Sequence, residues 1–170
     1  MRQHHTKNKG DLGLLHAQVD LAERGYGVLM PQTEHEAFDL VAYKEQTFWR
    51  IQVKYRAAMR GYVRVSLSSS WADRHGSHFV AMDRTLVDLV CIYCPDTREC
   101  YYVDPARFGS AVCLRVDPTR NRQLKGIVWA KDFTNIPVVP GVSSATRIAL
   151  EGTSQVRHSR GSRADPRMRP

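Results

Sequence analysis

The sequence predicts an α/β domain, and three stretches carry the prediction. Apolar positions Leu12, Leu15, Val19 and Ala22 recur at helical spacing between Gly10 and Arg24, the pattern of an amphipathic helix. Phe38 to Lys54 reads as a β-hairpin: a short strand-favouring run, the polar connection Lys44-Glu45-Gln46, and a second run over Phe48 to Tyr55 that alternates cleanly. Leu86 to Tyr93 is almost continuously apolar, as befits a strand in the middle of a sheet and covered on both faces.

At 170 residues and 42% hydrophobic, the chain has enough material for one domain with a real core and too little for two. The expected division is a domain over 1–141 and a basic, disordered tail over 142–170, where six arginines face only Glu151 and Asp165. Net charge is +8, which favours a polyanionic partner and says nothing about fold. No secretory n-region or bilayer-length apolar run is present, so the reading is a cytoplasmic protein with no membrane partner. Cys91, Cys94, Cys100 and Cys113 read as core thiols, because a strand would put Cys91 and Cys94 on opposite faces and no second Cys-x-x-Cys pair follows.

In chain order, Gly25 suits the left-handed residue that closes the first helix. Asp11 lies near that helix's start, where a carboxylate is favourable on its own account. Tyr26 to Met30 is a short strand closed by Pro31, and Glu34-His35-Glu36 forms an acidic loop leading to Asp39. Tyr62 to Leu67 alternates as a strand, and Ser68 to Gly76 reads as a loop. Cys100 to Val103 is a returning strand, followed by a helix start with Asp104 as its cap and Pro105 in its first turn. Asp88 reads as a strand entry, and Ala111 to Val116 as an edge strand.

The chemistry concentrates in the hairpin. Strand alternation puts Arg50, Gln52, Lys54 and Arg56 on one face and Trp49, Ile51, Val53 and Tyr55 on the other. Asp39 on the first strand, with the Gln52 side-chain carbonyl and the Val53 backbone carbonyl on the second, offers oxygen ligands to a hard divalent cation. Lys54 would then orient the attacking water or stabilise charge developing on a phosphate. Between Lys44 and Arg64 there are six cations and one acid, Glu45. That asymmetry suits a phosphate backbone, and Lys7, Lys9, Arg50, Arg56, Arg60, Arg64 and Arg74 are the candidate DNA contacts.

An acid on one strand, followed on the next by an acid or its amide, any residue and lysine, is the signature of the PD-(D/E)XK nuclease superfamily. Asp39 with Gln52-Val53-Lys54 resembles it in the minority glutamine form. With Lys9-Gly10-Asp11-Leu12-Gly13 upstream and Tyr101-Tyr102-Val103-Asp104-Pro105 downstream, the chain is most similar to the group I intron-associated homing endonucleases over roughly Thr6 to Gly109. The resemblance implies a restriction-endonuclease-like core, a central mixed β-sheet flanked by helices. It also implies a DNA endonuclease dependent on Mg²⁺, with Mn²⁺ as substitute. Asp39, Gln52 and Lys54 would be catalytic.

The pattern breaks at Leu14, where the family's first helix carries a glutamate. Two nearby residues are candidate replacements: Asp11, one turn earlier on the same face, and His16, two residues on and at a steep angle away. Cutting both strands of double-stranded DNA is most simply done by two protomers, so a homo-oligomer, dimer or tetramer, is expected. Two rivals stay open. One is a catalytically inactive DNA-binding protein on a nuclease frame; the other is a structure-specific nuclease such as a Holliday junction resolvase.

Overall fold

The computed structural model describes residues 5–33, 35–74, 76–118 and 125–137. The expected tail over 142–170 and Glu34 of the acidic loop lie outside the described residues. Helix α1 (His5–Glu23) is followed by strands β1 (Gly27–Leu29), β2 (Leu40–Lys44) and β3 (Thr47–Tyr55). Next come β4 (Tyr62–Ser66), β5 (Ser68–Asp73), β6 (Gly76–Ala81), β7 (Leu89–Cys94) and β8 (Glu99–Val103). A 3₁₀ turn (Pro105–Arg107), β9 (Ala111–Arg115) and a second 3₁₀ turn (Ala130–Phe133) complete the described order.

Five strands form the central sheet in the order β1-β2-β3-β7-β8. Only the β3–β7 pair is parallel, so the sheet is mixed, in line with the α/β, restriction-endonuclease-like expectation. β7 lies between β3 and β8, and all six of its residues are buried. Leu89, Cys91 and Tyr93 join the apolar cluster under α1, while Val90, Ile92 and Cys94 join the cluster on the opposite face. Cys91 and Cys94 therefore do face opposite ways. Cys100 is also buried, but Cys113 is exposed on β9 and is not a core thiol.

α1 covers one face of the sheet, and its buried stripe departs from the expected one. Gly13, Ala17 and Leu21 turn inward, whereas Leu12, Leu15 and Val19 are 47%, 57% and 55% exposed. Close approach decides the face: a Cβ on Gly13 would stand 3.3 Å from the Tyr55 Cβ, so small residues must meet β3. The helix ends at Gly25 as expected, with φ of +76°. Tyr26 N–H reaches the Leu21 carbonyl and Gly25 N–H the Ala22 carbonyl, a Schellman closure.

The other face is covered by an antiparallel ribbon of β4 and β9, whose Val63, Val65, Val112 and Leu114 enter the second cluster. β9 thus pairs with β4 and not with the edge of the central sheet. Within the expected loop Ser68 to Gly76, Ser68–Asp73 form β5 and Gly76 opens β6, which pairs with it; ladder hydrogen bonds come from the backbone and need no apolar side chains. Asp104 caps its 3₁₀ turn by accepting from Ala106 N–H at 2.8 Å. Among the described residues, no helix is long and apolar enough to cross a membrane.

Candidate functional site

β2 and β3 meet through a two-residue turn at Glu45 and Gln46, both with positive φ (49° and 64°), the geometry that matches strand twist. This fixes the register, pairing Leu40 with Ile51. Asp39, one residue earlier, lies just outside β2, and its N–H reaches the carbonyl of the same Ile51 that pairs with Leu40. Leu40 and Ile51 enter the cluster under α1, so strand alternation along β3 sends Gln52 and Lys54 to the opposite face.

Asp39 is anchored twice. Its N–H donates to the Ile51 carbonyl at 2.9 Å, and its Oδ2 accepts from Val53 N–H at 2.6 Å. In a strand a residue's N–H and C=O point the same way, so the Val53 carbonyl faces the side where β2 has not yet begun. Gln52 Nε2 donates to the Ala37 carbonyl at 3.3 Å. Gln52 Oε1 is buried and has no hydrogen-bond partner.

Both charged groups are strained by desolvation. Burial raises Asp39 above the ordinary carboxylate range, opposed by the Val53 N–H and the Lys54 charge. Although the residue as a whole is exposed, its carboxyl group is crowded by surrounding atoms. Burial lowers Lys54 below the ordinary lysine range; the Asp39 carboxylate opposes this and Arg56 adds to it. Such opposed, mutually sensing groups are typical of functional sites and also occur in structural ion pairs.

Asp11 is exposed on α1, and among the described residues no hydrogen bond or charge coupling is seen between it and Asp39, Gln52 or Lys54. Leu14 is half-buried against the same cluster as Val53. His16 stacks on Tyr93, with ring centroids 3.9 Å apart and planes 10° apart. Among the described residues, no three His, Cys, Asp or Glu side chains form a metal cluster. A cation here would depend on one carboxylate, one amide oxygen and backbone.

The basic residues fall into two groups. Lys7, Lys9, Arg56, Arg60, Arg64 and Arg74 are exposed. Arg50 is held internally: Nη2 and Nε bond the Asp88 carboxylate at 2.7 and 3.0 Å, and Asp88 Oδ2 also accepts from Arg50 N–H at 2.7 Å. Asp88 is thus both the strand entry expected and the residue that occupies Arg50. A groove of about 480 Å³ is lined by Leu29, Met30, Gln32, Glu36, Phe38 and Val41, among others, and not by Asp39, Gln52 or Lys54. Nothing in the sequence marks the Ala37 carbonyl or the Val53 N–H, since every residue but proline carries the same backbone groups.

Comparison with known proteins agrees with the fold. The family model of PD-(D/E)XK endonucleases matches residues 4–136. Among solved structures, the fold is similar to that of a bacterial homing endonuclease, I-Ssp6803I, with a TM-score of 0.62 and 22% identity. The alignment covers 75% of this chain and 87% of that one. No curated protein sequence matches the chain.

Proposed function

The chain belongs to the PD-(D/E)XK endonuclease family, and on that premise we propose that it is a divalent-metal-dependent DNA endonuclease of the homing type, hydrolysing phosphodiester bonds. The observation that supports the proposal is the buried Oε1 of Gln52, which lacks a hydrogen-bond partner, on the strand that also ties down Asp39 through the Val53 N–H and carries the desolvated Lys54. A buried acceptor without a donor is costly in a folded protein, and a bound ion is one of the explanations that such a group calls for. An amide oxygen beside a carboxylate on the neighbouring segment is the kind of donor set that suits Mg²⁺ or Mn²⁺.

Asp39, Gln52 Oε1 and the Val53 carbonyl would hold the cation. When bound, it supplies positive charge against the phosphate and the attacking water. The remaining work belongs to side chains of this chain. Val53 N–H fixes one oxygen of Asp39 and leaves the other for the ion. Lys54, protonated beside Asp39, donates to the water or to a phosphate oxygen and stabilises charge as it develops. Lys7, Lys9, Arg56, Arg60, Arg64 and Arg74 are assigned to the DNA backbone, where they set position without reading sequence. Arg50 is withdrawn from that set, because Asp88 occupies it. A homo-oligomer, dimer or tetramer, would present two such sites to the two strands of one duplex.

The second reading, a binding protein without cleavage, is favoured by one observation: Leu14 takes the family's helix-glutamate position and packs against apolar neighbours. Plasmid cleavage separates the two readings. A library of random inserts is incubated with the protein and Mg²⁺, Mn²⁺ or EDTA, beside Asp39→Ala and Lys54→Ala. Metal-dependent cutting abolished in both variants supports the nuclease. Equal silence from all three proteins, with DNA still retarded on a gel, leaves the binding protein.

A further inference from the structure

Gln52 is held at one end and unsatisfied at the other. Its Nε2 donates to the Ala37 carbonyl, while Oε1 is buried without a donor. Rotating the amide by half a turn would bring Oε1 against the Ala37 oxygen, acceptor against acceptor, and would leave the amide nitrogen in place of the unpaired oxygen. The Ala37 carbonyl has little room to yield. Ala37 packs against the apolar cluster beneath the β4–β9 ribbon, and two residues later Asp39 is tied to β3 through both its N–H and its carboxylate. A side chain at position 52 must therefore offer a donor to Ala37 and an acceptor elsewhere. Glutamine has one of each; an ionised glutamate has acceptors only.

We propose that the Ala37 carbonyl is a positioning group for the metal site: it selects glutamine over an acid at position 52 and aims Oε1 at the cation. The inference rests on the nuclease reading above and deepens it. Position 52 carries glutamine because a carboxylate there would be turned away by Ala37, even though its charge would suit the ion better. Among the described residues, Asp39 is the acid coupled to Lys54, and the two side-chain charges oppose each other. The cation is then drawn in chiefly by the phosphate that accompanies it.

The test compares wild type, Gln52→Glu and Gln52→Met by three readouts: melting without metal, Mn²⁺ titration calorimetry without DNA, and cleavage. Gln52→Glu is expected to melt below wild type, to bind Mn²⁺ no more tightly, and to cut about 10–100-fold more slowly, the loss usual when a ligand's outer partner is disturbed. Gln52→Met, which faces Ala37 with no charge, is expected to keep its metal-free melting temperature closer to wild type than Gln52→Glu does, while losing cleavage. Gln52→Glu that binds Mn²⁺ more tightly and cuts as fast as wild type overturns the proposal.

A fourth readout serves if Gln52→Glu fails to fold. The Gln52 side-chain NH₂ signals of wild type, identified by their absence from Gln52→Met, should exchange with solvent more slowly than those of exposed glutamines. Exchange as fast as at the surface overturns the proposal. Wild type that neither cuts DNA nor responds to Mn²⁺ removes the nuclease reading itself, and with it the role assigned to Oε1. Cleavage by wild type with equal cleavage by Gln52→Glu removes only the selection by Ala37.

Discussion

The Asp39 carboxylate accepts a hydrogen bond from the Val53 N–H at 2.6 Å, joining the end of one strand of the hairpin to the next across the point where their pairing stops. The bond puts the acid over the Gln52-Val53-Lys54 segment and fixes which oxygen remains open. It also holds an ionised group in a desolvated place, which shapes the stability of the site as well as its chemistry.

At neutral pH, both charges of the site cost stability. Asp39 has its folded pKa raised, so its favourable contribution is present below the ordinary carboxylate value and lost as pH rises through the raised one. Lys54 has its folded pKa lowered, so its contribution is present above the ordinary lysine value and lost as pH falls through the lowered one. The double variant Asp39→Asn, Lys54→Met should melt at a higher temperature than wild type at pH 7 while losing cleavage. A lower melting temperature would mean that the attraction of the pair outweighs its desolvation.

Leu14→Glu should restore an acid where the family carries one. The expected result is tighter Mn²⁺ binding in the absence of DNA and faster cleavage. Because position 14 is half-buried against apolar neighbours, the new carboxylate should cost about 1–3 kcal/mol of stability. Calorimetric titration and thermal melting read the two effects separately. An unchanged Mn²⁺ affinity would show that position 14 does not reach the ion.

Arg50→Ala and Arg56→Ala should behave differently on DNA. Each lost phosphate contact lowers the slope of log K against log salt by about 0.9; Arg56→Ala should show that loss and Arg50→Ala should not. Arg50→Ala should instead alter the acid limb of stability. Burial pushes Asp88 up, but hydrogen bonds and charge from Arg50 hold its carboxyl below the ordinary range. That contribution is present above the ordinary carboxylate value and lost as pH falls through the lowered one, below about pH 4. Removing Arg50 should flatten this limb and cost no more than about 1 kcal/mol at pH 7, since both side chains are more than a third exposed.

Gly13→Leu should destabilise the fold by about 1–3 kcal/mol, the usual penalty of overpacking, because the Tyr55 Cβ already stands 3.3 Å from where a Cβ would lie. Leu15→Gln should change stability by no more than about 0.5 kcal/mol. Urea melts of the two variants test which stripe of α1 meets the sheet. The reverse order of effects would return the buried face to Leu12, Leu15 and Val19.

Local periodicity determined a good deal of this protein. The alternation of β3 assigned Gln52 and Lys54 to one face and Ile51 and Val53 to the other. The unbroken apolar run of β7 identified the middle of the sheet. These follow from spacing along a few residues, which is all that a pleat or a turn requires. Three matters were decided only in the folded chain: that α1 buries Gly13, Ala17 and Leu21 beneath its larger apolar side chains' opposite face, that Asp88 takes Arg50 from 38 residues away, and that the Ala37 carbonyl meets Gln52. Each is a distance between segments that lie apart in sequence. Spacing says which way a side chain turns; the tertiary contact says what it meets there.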